Sequence, residues 1–391
     1  MAAKKSTSKK TKKPARKVAA PVTAPAVVAP PSIDLKDIRE RIDQIDARIH
    51  GMINERARLA QQVGISKLAS GKTVDFYRPE REAEVLRNAI QRNQGPLRNE
   101  EIVRLFREIM SACLAQQEPL KVAFLGPEGT FTQAAVFKHF GHSVRALPLP
   151  AISEVFHEVE GGVADFGVVP IENSTEGTIN HTLDLFLNSP LKICGEIELR
   201  IHHFLMARSN DLGAVKRICA HPQALAQCRG WLDEHMPDVE RVPVSSNAEG
   251  ARRARDERGT AAIAGESAAQ LYGLTVLAKE IEDRDDNSTR FLVIGRKLFA
   301  ESGADKTTLL VSTSGTDDAG ALFRLLQPLA QHKVNMTRIE SRPSRKRKWD
   351  YVFFLDIEGH ISESPVAAAL ADVEAVASLF KILGSYPKAV L

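Results

Sequence analysis

Between residues 33 and 69 the chain has no proline, and its apolar residues fall at Ile38, Ile42, Ile45, Ile49, Met52, Leu59 and Val63. Apart from the step across 52–59 the spacings alternate between four and three, the seam of an amphipathic helix. At 1.5 Å per residue that helix is roughly 55 Å long, too long to bury itself within a region of about 90 residues. It needs a partner helix, most simply from a second copy of the chain. The gap in the seam is filled by Arg56, four residues after Met52, and Lys67 stands four after Val63. A buried, unpaired cation is costly. Both cations therefore snorkel to water, pair with Asp or Glu across a bundle, or face an anionic ligand. They stand about 16 Å apart on one face, close enough for long side chains to converge on a small dicarboxylate. Arg39 is about 25 Å from Arg56 on another face and reaches such a ligand only from a partner protomer.

A chain of 391 residues implies about two to four domains. The net charge of +4 is unevenly spread. Residues 1–31 hold seven lysines and one arginine without an acid, so the remainder is mildly acidic at −4, and global charge makes no case for nucleic-acid binding. This Lys/Ala/Pro-rich opening is expected to be disordered, because it cannot bury enough apolar surface to offset its ordering entropy. No apolar run approaches a membrane span, so no membrane partner is expected. Cys113, Cys194, Cys219 and Cys228 form no CxxC pair or zinc spacing. They read as buried thiols of a cytoplasmic protein, and no metal is expected.

Two further helical stretches follow, YRPEREAEVLRNAIQRN and NEEIVRLFREIMSACLAQQ. The ordered set R…ERARLA…K…RE…QQ over residues 32–118 resembles the helical chorismate mutases. The resemblance implies that Arg56, with Arg39 from a partner protomer, binds the carboxylates of chorismate. It implies that Lys67 and Gln117 donate to the ether oxygen as its bond breaks. Glu82 would accept from the ring hydroxyl beside Arg81, and Arg78 stands where some members have an acid contacting that hydroxyl. Such a rearrangement requires a folded substrate and donors aimed at developing charge, with no nucleophile.

At Lys121 the pattern changes to alternating strands and helices, an α/β region with a mostly parallel sheet and sites at strand ends. GxGxxG, GxxxxGK[ST] and HExxH are all absent, which argues against nicotinamide, nucleotide and zinc-protease chemistry. GPEGTFT, VVPIENSTEG, HPQALAQC and STRF, in order across 120–298, resemble prephenate dehydratase. That family is two-lobed, like a periplasmic solute-binding protein, and needs no cofactor. The resemblance makes Thr289 the key hydroxyl and Arg290 a carboxylate anchor. Asn173, Ser174 and Gln227 would line the cleft, Thr130 and Thr132 the opposite loop, and Glu172 is a candidate acid. Ala220 replaces a serine common before the histidine.

From 305 to 391 the order is strand, helix, strand, strand, helix, strand, the ferredoxin-like βαββαβ unit. The cations Arg342, Arg345, Lys346, Arg347 and Lys348 precede the strand WDYVFFLDI and are expected at the tip of the hairpin between the second and third strands. With GAL at 320–322 and ESRP at 340–343 the unit resembles the ACT domain of the bifunctional chorismate mutase–prephenate dehydratases. The resemblance places a phenylalanine pocket at Gly320, Ala321 and Leu322 with Glu340, Ser341, Arg342 and Pro343 of a neighbouring subunit; Ala319 stands where relatives often have proline. The whole then reads as a cytoplasmic homo-oligomer, dimer or tetramer, converting chorismate to prephenate and prephenate to phenylpyruvate under phenylalanine feedback. The alternative is a two-lobed ligand-binding regulator with an ACT module and no catalysis.

Overall fold

The computed structural model describes residues 34–69, 77–313, 319–344 and 351–391, the side chains of 67–69 excepted. The expected disordered opening at 1–31, the cations at 345–348 and the Lys67 side chain lie outside the described residues. The chain divides into two compact units, Met1–Met52 and Ile53–Leu391.

In the first unit the described residues form the start of helix α1 (Leu35–Ala69). Asp34 caps it, its carboxylate accepting from Lys36 N at 3.0 Å and its carbonyl from Ile38 N at 3.2 Å. Ile38, Ile42, Ile45, Ile49 and Met52 are all exposed, so the stripe read from sequence is present and uncovered.

The second unit continues with α2 (Pro79–Arg92) and α3 (Asn99–Ala115). Pro79 opens α2, where its missing N–H costs nothing, and Ala83, Leu86 and Ala89 form its buried face. The chain then builds β1 (Lys121–Leu125), α4 (Phe131–Phe140), β2 (Arg145–Leu149), α5 (Ile152–Glu160), β3 (Phe166–Asn173), β4 (Gly177–Thr178), α6 (Asn180–Phe186) and β5 (Lys192–Arg200). It crosses into a second lobe made of β6 (Phe204–Ala207), β7 (Arg217–Ala220), α7 (Pro222–Gln227), α8 (Arg229–His235), β8 (Glu240–Pro243), α9 (Asn247–Asp256), β9 (Thr260–Ala264), α10 (Glu266–Tyr272) and β10 (Thr275–Ala278). It returns to the first lobe as β11 (Ser288–Gly295).

The first sheet runs β2-β1-β3-β11-β5 with β4 on β3, and the second β10-β6-β9-β7-β8. The two lobes match the expected architecture. The expected mostly parallel sheet needs correction: β11 is antiparallel to both its neighbours, and β6 is antiparallel to β10 and β9. The returning strand inserts head-down between β3 and β5, so the sequence segments around 173 and 289 meet at one sheet end.

The last region is β12 (Asp305–Ser312), α11 (Ala321–Gln331), β13 (Met336–Pro343), β14 (Tyr351–Glu358), α12 (Ser364–Val376) and β15 (Leu379–Pro387), with sheet order β13-β14-β12-β15. This is the expected ferredoxin-like unit, and β13 and β14 pair as the expected hairpin. Strand alternation gives its sheet two apolar faces. Leu309, Val311, Leu355 and Ile357 pack under α11 and α12. Leu310, Val352, Phe354 and Leu383 share a core with Val169, Ile171, Ile193 and Leu292 of the first lobe. Gly384 permits that contact, since a Cβ there would stand 2.2 Å from the carbonyl oxygen of Ile193.

Candidate functional site

Between the two lobes lies a cleft of ≈ 960 Å³. The loop after β1 and the first turn of α4 form one wall, with Thr130 capping the helix by accepting from Gln133 N at 3.4 Å. The opposite wall carries Ser246, the N-cap of α9, which accepts from Glu249 N at 3.0 Å. The first N–H groups of a helix have no internal partners, so two helix starts present donors to this space. Among the described residues no lysine or arginine lines the cleft. The floor is made where the chain crosses between lobes, at Ile201, His203, Asn287 and Thr289.

The floor is an ordered chain of hydrogen bonds whose direction follows from the backbone. Asn173 Oδ1 accepts from the backbone N–H of Thr175 at 3.0 Å and Glu176 at 3.2 Å, which fixes its amide orientation. Its Nδ2 therefore donates to Thr289 Oγ1 at 2.8 Å and Asn287 Oδ1 at 3.0 Å. Asn287 Nδ2 then donates to Gln227 Oε1 at 3.2 Å, and the same oxygen accepts from His203 Nε2 at 2.8 Å. His203 consequently carries its proton on Nε2. Burial lowers its pKa, which keeps the ring neutral. The hydroxyl hydrogen of Thr289 and the Nε2 donors of Gln227 are left over; Gln227 Nε2 is buried with no partner among the described residues. The site offers neutral donors and no charge of its own at the floor.

Of the residues expected here from sequence, Thr130, Thr132, Asn173, Gln227 and Thr289 come together on the cleft wall. Ser174 does not line it; its hydroxyl accepts from Ser288 N at 2.9 Å and ties the β3–β4 turn to the start of β11. Arg290 requires correction as a cleft anchor. It follows Thr289 on a strand, so its side chain leaves the opposite face, where it pairs with Asp356 at 2.7 Å and Glu196 at 3.0 Å. Glu172 is likewise turned away by the alternation that brings Asn173 in, and it pairs with Arg338 at 3.1 Å. Its expected role as an acid in the cleft is withdrawn. His203 was not singled out from sequence; it acts through Gln227, 24 residues away along the chain, and no local motif signals that.

In the helical region the expected residues do not all come together among the described residues. Arg56 is half-buried and has no ion pair among the described residues. Gln117 Nε2 donates to Ala60 O at 2.8 Å, one turn of α1 beyond Arg56, and its Oε1 lies so close over Gly64 that a Cβ there would meet it at 2.6 Å. Arg39 lies in the other compact unit, and Lys67 in the last turn of α1 with its side chain outside the described residues. Glu82 departs from expectation. It shares the stripe of Pro79, Ala83 and Leu86, pairs with Arg107 at 3.5 Å, and lines a small cavity with Tyr77 and His139 that contains neither Arg56 nor Gln117. Burial raises its pKa to about 7, opposed by Arg107. Arg78 and Arg81 are engaged by Glu80 and Glu84 at the surface of α2.

In the ferredoxin-like region Gly320 takes φ 83° as the N-cap of α11, a left-handed conformation suited to glycine, and Ala321 and Leu322 open the helix. Ser341 and Pro343 stand on β13, paired with Phe353 and Tyr351. Glu340 accepts from Thr178 Oγ1 at 3.0 Å and Arg342 pairs with Asp184 at 2.8 Å, both in the first lobe.

Family comparison matches the chain in three consecutive parts: chorismate mutase type II over residues 38–118, prephenate dehydratase over 122–298 and ACT domain over 307–375. The bifunctional chorismate mutase/prephenate dehydratase of Stutzerimonas stutzeri is 55% identical over 361 residues, covering 91% of this chain and 98% of the relative. Among solved structures, prephenate dehydratase from Arthrobacter aurescens in complex with L-Phe aligns with TM-score 0.64 and 39% identity, over 68% of this chain and 90% of that one. GqqA, described as a quorum quenching acylase, aligns with TM-score 0.64 and 31% identity, over 69% and 98%. The chain belongs to the bifunctional chorismate mutase/prephenate dehydratase family.

Proposed function

We infer that the chain catalyses two successive steps of phenylalanine biosynthesis, rearranging chorismate to prephenate and converting prephenate to phenylpyruvate, and that phenylalanine inhibits it. The fold is shared with a protein described as an acylase, so the reading rests on the 55% identical relative and on the cleft. The observation that carries it is the directed chain Glu176–Asn173–Thr289, which leaves the threonine proton aimed at a substrate.

In the dehydratase step the ring carboxylate leaves as CO2, its bonding electrons enter the ring, and the C–O bond to the ring hydroxyl breaks to give an aromatic product and water. Aromatisation drives the reaction, so the protein's task is to hold the dianion and to stabilise the departing hydroxide. Thr289 donates a hydrogen bond to that oxygen, strengthened because Asn173 donates to Thr289 in turn. A neutral alcohol is a poor acid, and solvent supplies the net proton. With no lysine or arginine on the cleft wall among the described residues, the carboxylates are held by the first-turn N–H groups of α4 and α9, by Thr132 and by Gln227 Nε2. That replaces the role expected for Arg290.

The mutase site takes Arg56, Lys67 and Gln117 from one protomer and Arg39 of the partner subunit. The uncovered stripe on α1 and Arg56, which has no ion pair among the described residues, support a homodimer in which the stripe is buried. Four free, buried cysteines support a reducing, cytoplasmic setting. No metal-binding cluster and no membrane-crossing helix is found among the described residues. The test is to give purified protein chorismate, then prephenate, and to follow phenylpyruvate absorbance with and without phenylalanine. Product from both substrates, suppressed by phenylalanine, is the expected result; failure on prephenate would overturn the reading of the cleft.

A further inference from the structure

Thr289 and Asn173 face each other across the β11–β3 ladder, and the neighbouring rung pairs Arg290 with Glu172. The first rung points into the cleft and the second out of the back of the sheet. There the C-terminal domain holds both members. Arg290 Nη1 meets Asp356 Oδ2 at 2.7 Å, its Nη2 reaches the Tyr386 hydroxyl at 3.4 Å, and Asp356 is itself fixed by Thr308 Oγ1 at 2.7 Å. Glu172 pairs with Arg338 at 3.1 Å. Strands β13, β14 and β15 thus all grip one rung of the first lobe, adjacent to the rung that carries the cleft donor.

Two features make this grip consequential. The ladder to β3 shifts register between Arg290 and Phe291, so on that side the pairing is interrupted beside the rung, while β5 holds β11 in register from Ser288 to Val293. The Arg290–Asp356 pair is also largely out of water, with side-chain exposures of 19% and 4%. Without Asp356, Arg290 would keep only Glu196, at 3.0 Å and already shared with Lys306 at 2.8 Å, and the rung would lose its tie to β14. On β13, Glu340 and Arg342 continue the row begun by Arg338 at every second residue and reach Thr178 and Asp184 of the same segment.

We propose that Arg290 and Glu172 are positioning residues, and that Asp356 and Arg338 of the C-terminal domain act through them to set the Thr289–Asn173 geometry needed for dehydration. This rests on the dehydratase reading of the cleft. The C-terminal domain is then part of the frame of the active site, and any ligand that takes up Glu340 or Arg342 acts on the same row of contacts that holds the rung.

The experiment compares wild type, Asp356→Asn, Arg338→Gln and the charge-reversed pair Glu172→Arg with Arg338→Glu. Lys192→Met is the control, because Lys192 bridges the same two domains to Ile382 O at 2.7 Å but at the far end of β5. Asp356→Asn and Arg338→Gln should lower kcat on prephenate about 10- to 100-fold with KM within about twofold, the signature of misplaced groups. Mutase turnover of the same preparations should stay at the wild-type level, reporting an intact fold. The reversed pair should regain much of what Arg338→Gln loses, and Lys192→Met should match wild type. Loss of activity in Lys192→Met equal to that in Asp356→Asn, no rescue by the reversed pair, or kcat unchanged in Asp356→Asn would each overturn the proposal. Wild type inert on prephenate would instead sink the dehydratase reading beneath it.

Discussion

Replacing Thr289 by valine removes one hydroxyl from the cleft floor at nearly constant shape, and the structure lets the two consequences be separated. For stability, Asn173 Nδ2 loses its 2.8 Å acceptor but keeps Asn287 Oδ1 at 3.0 Å and Ser288 O at 3.3 Å. No buried donor is stranded, so the cost is about 1 kcal/mol. For catalysis, the donor aimed at the departing hydroxide disappears, which is comparable to removing one oxyanion-hole donor, about 3–4 kcal/mol or roughly 10²–10³ in kcat. KM should change little, because the carboxylates are held elsewhere. The assay is phenylpyruvate formation from prephenate over a substrate range, with mutase turnover as an internal check on folding; Thr289→Ser should recover most of the rate. Asn173→Asp sharpens the test. It puts an acceptor where Nδ2 now donates, which draws the Thr289 proton away from the cleft, so kcat should fall to a similar degree with the hydroxyl still present. If Thr289→Val retains kcat within about threefold of wild type, the donor role is wrong.

Other expectations concern the helical region. Glu82 has an ordinary carboxylate value of 4.5 when unfolded and about 7 when folded, through burial. It costs nothing below pH 4.5, where it is protonated in both states, and its cost grows through the window to reach about 3 kcal/mol above pH 7. Urea unfolding of wild type and Glu82→Gln at pH 5 and pH 8 should therefore show the variant gaining relative stability at the higher pH; a pH-independent difference would contradict the assigned burial. A charge in the exposed α1 stripe, Ile45→Glu, should convert a dimer to monomer in sedimentation and abolish mutase turnover while dehydratase turnover stays within about twofold. A monomer with full mutase activity would refute the shared site.

Much of this was readable in the sequence because the loops at sheet ends carry their own chemistry. GPEGTFT, IENSTEG and STRF each place small hydroxyl or amide residues at a strand end or helix start, and in the fold Thr130, Asn173 and Thr289 converge. Arg290 was misread although the period-2 rule was available: with Thr289 facing the cleft, the next residue on a strand must face away. The same rule removes Glu172. For Glu82 the helical stripe through Pro79, Ala83 and Leu86 already placed it on the buried face of α2. His203 was beyond reach, since its role depends on Gln227 and Asn287 arriving from two other segments. The antiparallel insertion of β11 was hidden for a similar reason, because the length of the excursion into the second lobe leaves no local trace of strand direction.

The claim that one chain holds two separate sites is tested most directly by giving chorismate to Arg56→Ala and Thr289→Val and resolving substrate, prephenate and phenylpyruvate over time. The account predicts that Thr289→Val consumes chorismate and accumulates prephenate, whereas Arg56→Ala leaves chorismate untouched yet converts added prephenate at the wild-type rate. Loss of both conversions in either variant would contradict it.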